Sequence, residues 1–152
     1  MKSSANKLAE IDSRFKRLIS EFGYPVFNQD SSYFEALLKN IIYQQLSGKA
    51  AKTIYNRFLK LFQSATYLSP NEVLNTPIEH IRAAGLSNQK VTYILDLSKK
   101  YSEGSLQLDV LNEKTNKEIS DQLIEVKGIG QWTADMFLMF TLNREDVFPL
   151  GD

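Results

Sequence analysis

Leu123-Ile124-Glu125-Val126-Lys127-Gly128-Ile129-Gly130-Gln131-Trp132-Thr133-Ala134 sets two glycines around one aliphatic residue, between two stretches of helical apolar periodicity. Glycine carries no Cβ, so Gly128 and Gly130 let the chain reverse tightly with φ values other residues avoid, while Ile129 plugs the gap between the two helices. Without Cβ atoms another backbone can approach the corner closely. The free N–H groups that open the next helix point outward there, an arrangement suited to an anion such as phosphate. Read alone, the same pattern also fits a plain helix–turn–helix corner whose glycines only cap and reverse.

Outward from this corner the chain reads as helices, and period-two alternation is scarce. Upstream, Thr115 with Glu118 forms a capping box that opens a helix through Ile119 and Leu123 to Val126; downstream a helix runs from about Trp132 to Thr141. Leu8, Ile11, Phe15, Leu18, Ile19 and Phe22 form one stripe that stops at Gly23 and Pro25. Phe34, Leu37, Leu38, Ile41 and Ile42 form a second, and the next position on that face is the polar Gln45. Ser47 is placed to cap a helix through Ala50, Ala51, Ile54, Phe58 and Phe62. Two boxes with proline at the first helical position, Ser69-Pro70-Asn71-Glu72 and Thr76-Pro77-Ile78-Glu79, predict two short helices. Ser87 caps another through Val91, Ile94, Leu95 and Leu97 that Gly104 stops. An all-α domain over residues 1–152 is expected.

Composition narrows the chemistry. The 152 residues balance 18 basic against 18 acidic side chains and include no cysteine and one histidine, His80. Disulfides, thiolate nucleophiles, cysteine-ligated zinc, iron–sulfur clusters and His-rich metal sites are therefore excluded. No apolar run approaches the roughly 20 residues that span a bilayer, so no membrane partner is expected. The opening MKSSANKLAEIDSRF lacks the apolar core of a secretory signal, which predicts an intracellular protein. Neutral net charge hides a gradient: Lys39, Lys49, Lys52, Arg57 and Lys60 face only Glu35 between residues 31 and 60, whereas residues 121–152 are mainly acidic.

With these residues in view, the chain resembles the helix–hairpin–helix, Gly/Pro, Asp superfamily of base-excision DNA glycosylases, and most closely its 3-methyladenine DNA glycosylase II branch. The motif places the helix–hairpin–helix at about 116–141. Gly128-Ile129-Gly130, Trp132-Thr133-Ala134, Asp146-Val147-Phe148, Pro149 and Asp152 match the pattern, with Asp152 twenty positions after Trp132. Upstream, Gln44-Gln45-Leu46-Ser47 and Gly85-Leu86-Ser87 with Lys90 resemble two further blocks, in the same order. The ending Pro149-Leu150-Gly151-Asp152 lacks the polar fade-out usual at a domain end, so the expected fold is one without its C-terminal helices.

The resemblance implies a monofunctional N-glycosylase that releases alkylated purines from duplex DNA and leaves an abasic site; a non-catalytic DNA-binding module is the alternative. Asp152 would stabilise an oxocarbenium-like state and orient or activate the attacking water; on its position alone, without the motif, it reads first as an acidic cap for a following helix. Bifunctional relatives carry a lysine two positions after the second hairpin glycine, where this chain has Trp132, so a Schiff-base nucleophile is absent there. Trp132 would stack on a cationic base, or else anchor the last helix. Met136 replaces a tyrosine often found in the family's pocket, and Phe34, Tyr33 and Tyr43 are candidate base contacts as well as candidate core. Gln45, or alternatively Leu46, would fill the space left by a flipped base. Ser47, Ser87, Lys90, Lys127, Gly128, Ile129, Gly130 and Thr133 are the expected DNA contacts. No organic cofactor is expected; a sodium or potassium ion on the hairpin carbonyls of Val126 and Ile129 is the one ion the family implies. Asp135, Glu145 and Asp146 are expected to face solvent or to pair with Arg144, and the protein is expected to act as a monomer.

Overall fold

The computed structural model describes residues 2–26, 32–62 and 67–150. Among them there are only helices and turns: α1 (Lys2–Ile11), α2 (Ser13–Phe22), α3 (Tyr33–Tyr43), α4 (Gly48–Leu59), α5 (Pro70–Asn75), α6 (Ile78–Ala83), α7 (Asn88–Ser102), a 3₁₀ turn at Leu111–Glu113, α8 (Asn116–Ile124) and α9 (Gln131–Phe140). None of these is long and apolar enough to cross a membrane.

α3 is the central rod. Phe34, Ala36, Leu37, Leu38, Ile41 and Ile42 are all buried, so this helix is apolar over most of its circumference and is covered by α4, α7 and α9. Ser32 caps its start by accepting the Glu35 N–H, and the Glu35 carboxylate in turn accepts the Leu68 N–H at 2.9 Å. α7 lays Val91, Ile94 and Leu97 into the same core, while α5, α3 and α6 pack around it. Ile119 and Leu123 of α8 and Ala134, Phe137 and Leu138 of α9 complete it.

Local chemistry explains where the helices depart from the sequence reading. The first apolar stripe is two helices, because the Asp12 carboxylate accepts the Arg14 N–H and caps α2 in mid-stripe. Neither α1 nor α2 buries a residue; they pack on each other, and the Ser4 hydroxyl donates to the Glu145 carboxylate. The Ser69 box forms, with Glu72 accepting the Ser69 N–H at 2.8 Å, but the Thr76 box does not. The Thr76 hydroxyl donates instead to the Glu72 carbonyl at 2.8 Å, ending α5, and Pro77 becomes the cap residue of α6. Ser47 occupies the cap position of α4 without making a side-chain cap bond. α4 ends at Leu59, and Phe62 packs on Phe58 from beyond the helix, their ring centroids 5.0 Å apart. α8 stops at Ile124, and Val126 is buried within the corner that follows.

Candidate functional site

α8 is opened by the Thr115–Glu118 box, whose carboxylate accepts both the Thr115 N–H and hydroxyl; these bonds hold the Glu118 pKa below its ordinary value. The chain then turns through two short bonds, Val126 N–H to the Leu123 carbonyl and Ile129 N–H to the Val126 carbonyl, each 3.0 Å. Gly128 takes φ +84°, a left-handed value that glycine adopts without steric cost. Ile129 is buried, as the plug reading requires. Gly130 precedes α9 in extended conformation and offers no side chain to the first-turn N–H groups. Gln131 latches α9 back to α8 by donating to the Ser120 hydroxyl and, within its own helix, to Asp135, both at 2.8 Å.

The two glycines differ in what surrounds them. A Cβ on Gly128 would lie 2.0 Å from Tyr93 Cδ2, whereas one on Gly130 would meet nothing within 4 Å. The close approach at Gly128 is therefore made by an aromatic ring of α7, not by a second backbone, and the open side of the corner is at Gly130. α7 supports the first half of the corner with further groups. Asp96 accepts the Lys127 N–H at 2.9 Å, and Lys100 donates to the Glu125 carbonyl while pairing with Asp96 at 3.4 Å. A cation at the C-terminal end of α8 complements the helix dipole. The Lys127 side chain is exposed.

The end of α3 meets this corner from the other side. Gln44 Nε2 donates to the Gly128 carbonyl at 2.8 Å and, more weakly, to Thr133 Oγ1 at 3.5 Å. The Lys90 ammonium, expected to face DNA, turns inward and donates to the carbonyls of Ile42 (2.6 Å) and Gln44 (2.7 Å); burial lowers its pKa. Ser87 caps α7 by accepting the Lys90 N–H at 3.3 Å. Gln45 does not continue the apolar face of α3, because the helix ends at Tyr43; it sits exposed with φ +57° in the following turn, beside the exposed Leu46.

Of the expected base-pocket residues, Trp132 is 48% exposed on the first turn of α9, with half-buried Met136 one turn later on the same face. Tyr43 is half-buried and packs edge-on against Tyr55 at 6.2 Å, directly before the Gln44 turn. Phe34 is buried beside Tyr101, rings 5.4 Å apart, at the start of α3. Tyr33, at the same end of α3, packs on Phe137. Of the carboxylates expected to face solvent or to pair with Arg144, Glu145 and Asp146 are exposed; the Arg144 guanidinium donates to the Leu111 and Lys114 carbonyls, and Asp135 and Asp146 accept from Gln131 and Asn116. Asp152 lies outside the described residues. Among the described residues no three His, Cys, Asp or Glu side chains are grouped to hold a metal. The residues that sequence reasoning missed are Gln44, Tyr93, Asp96 and Lys100; the last three recur at helical spacing on one face of α7, a pattern that otherwise reads as a solvated stripe.

Two helices joined by a Gly-Ile-Gly corner, braced from behind and open at the second glycine, define a helix–hairpin–helix protein. A family model described as HhH-GPD superfamily base excision DNA repair protein matches residues 38–152, and the chain belongs to that superfamily. It is 32% identical over 149 residues to DNA-3-methyladenine glycosylase 1 of Schizosaccharomyces pombe, covering 95% of this chain and 65% of that protein. Among solved structures it resembles a DNA-3-methyladenine glycosidase from Bacillus halodurans, with TM-score 0.84 and 35% identity over 95% of this chain and 66% of the other. The S. pombe 3-methyladenine DNA glycosylase in complex with abasic DNA gives TM-score 0.84 at 30% identity, covering 99% and 75% of the two chains. The chain thus spans just under two thirds of the curated relative's length.

Proposed function

We propose that this protein is a monofunctional DNA glycosylase that hydrolyses the N-glycosidic bond of alkylated purines, such as 3-methyladenine, in duplex DNA and leaves an abasic site. The observation that carries the reading is the half-exposed Trp132 on the first turn of α9, two residues after the open Gly130. The first-turn amides suit a DNA phosphate, and the indole beside them offers an electron-rich face to a cationic base, worth about 0.5–2 kcal/mol. No amine stands at position 132, which favours hydrolysis over Schiff-base chemistry.

In this reading Gln45, exposed at the turn after α3, enters the duplex as the damaged base leaves the stack. The bond between the base nitrogen and C1′ breaks with its electron pair departing on the base, and positive charge develops on the sugar. Asp152 stabilises that charge and accepts the proton of the attacking water, whose oxygen bonds to C1′. The Val126 and Ile129 carbonyls are hard oxygen donors of the kind a sodium or potassium ion takes; the Val126 oxygen already accepts the Ile129 N–H and keeps a second lone pair. The reading places the protein on genomic DNA inside the cell, working as a monomer on one lesion at a time.

The test is incubation with duplex DNA carrying 3-methyladenine or 7-methylguanine, followed by chromatography of free base and gel analysis of the strand. Free base with an intact strand supports the reading. Tight binding with no release supports the non-catalytic module, and direct strand scission by the protein removes the monofunctional assignment.

A further inference from the structure

The turn that carries Gln45 is held in a conformation its sequence does not favour. Gln44 has φ −51° and ψ 132°, Gln45 has φ +57°, and the Leu46 N–H donates to the Tyr43 carbonyl at 3.3 Å. This is a type II turn, in which the third position normally belongs to glycine or asparagine. Glutamine there is strained, and strain of this kind persists only where the surroundings impose it. The alternative type I turn differs mainly by rotation of the peptide between Gln44 and Gln45, which points the Gln44 carbonyl the opposite way and returns the next residue to negative φ. The Lys90 ammonium holds that carbonyl at 2.7 Å and the Ile42 carbonyl at 2.6 Å. The Gln44 side chain is anchored at the same time on the Gly128 carbonyl at 2.8 Å.

We infer that Lys90 is a positioning residue: by gripping the Gln44 carbonyl it selects the type II turn, forces Gln45 into left-handed backbone and so keeps the duplex-entering side chain ready before DNA arrives. The inference rests on the glycosylase reading for its purpose but not for its geometry. Loss of the grip lowers the fraction of molecules with Gln45 in place, and base extrusion falls in proportion to that fraction.

Two measurements test it. In denaturant unfolding of the free protein, Gln45→Gly raises the midpoint, because glycine removes the strain. In a Lys90→Met background the same change gives no gain, because the turn has already relaxed. On a duplex with 2-aminopurine next to an alkylated base, Lys90→Met lowers the fluorescence rise on extrusion about tenfold with duplex affinity kept, and Lys90→Arg, which can span both carbonyls, restores it. Equal gains from Gln45→Gly in both backgrounds, or full extrusion by Lys90→Met, would overturn the inference. If Lys90→Met fails to fold, absence of a midpoint gain for Gln45→Gly in the otherwise native protein does the same. If the native protein extrudes no base while the unfolding cycle behaves as expected, the glycosylase reading falls and the assignment of Lys90 to the turn stands.

Discussion

Gly128→Ala should disrupt the corner that Gly130→Ala leaves standing. At Gly128 the backbone is left-handed, which costs a residue with Cβ about 1–2 kcal/mol. The added methyl would also sit 2.0 Å from Tyr93 Cδ2 and 2.5 Å from Cγ, atoms at the base of the ring rather than its free tip. Relief requires moving Tyr93, whose hydroxyl accepts from Gln89 at 2.6 Å, or the backbone; overpacking of this sort costs about 1–3 kcal/mol. Reduced freedom of the unfolded chain returns about 0.4–1 kcal/mol, leaving a net loss of roughly 2–4 kcal/mol. At Gly130, φ is −97° and the space is open, but the residue is the N-cap of α9, where glycine is favoured over alanine; that preference offsets the gain from a less free unfolded chain, so alanine is close to neutral. Denaturant unfolding with circular dichroism measures both. Repeating Gly128→Ala in a Tyr93→Ala background should leave only the backbone share less the same unfolded-chain return, about 0–1.6 kcal/mol, the remainder appearing as coupling between the sites. A Gly128→Ala cost below about 1 kcal/mol, or an equal cost in both backgrounds, would refute the reasoning.

Other expectations follow from the same geometry. Trp132→Ala should weaken binding to duplexes with a cationic alkylated base by about 0.5–2 kcal/mol while leaving affinity for an unmodified duplex unchanged, as measured by anisotropy titration. Ser87→Ala should destabilise the protein by about 1 kcal/mol, because the cap bond to the Lys90 N–H is lost, and thermal unfolding reads it. The Glu118 pKa is lowered first by its bond from the Thr115 side chain, so its folded value lies below the ordinary 4.5. Its stabilisation is thus full above that value and is lost as pH falls through the folded pKa. The gap in unfolding midpoint between the native protein and Thr115→Ala should therefore be widest near neutrality and narrow in acid to the share of the cap bond from the Glu118 N–H to the Thr115 hydroxyl, which does not titrate.

How far the sequence could be read depended on the range of the forces involved. α3, α7, α8 and α9 were legible because their apolar spacing, caps and glycine stops all act within a few residues. The break at Asp12 and the lost box at Thr76 were not, since in each case a short polar side chain had two backbone partners in reach and the pattern does not say which it takes. The corner itself was legible from Gly128, Ile129 and Gly130. Its supports were not, because Tyr93, Asp96 and Lys100 come from α7, some thirty residues away, and each alone reads as an ordinary surface residue. Gln44 and Gln45 show the same limit at closest range. Whether one enters the corner and the other faces solvent depends on α3 ending at Tyr43, and Lys90 fixes that end from across the fold.

The most direct test of the account is single-turnover release of 3-methyladenine by the native protein and by Asp152→Asn, with affinity for an abasic duplex measured in parallel. Loss of the carboxylate's charge stabilisation should slow release by roughly 10²–10³-fold with abasic-duplex affinity unchanged. Release at the native rate by Asp152→Asn, or no release by the native protein despite tight binding, would contradict the account.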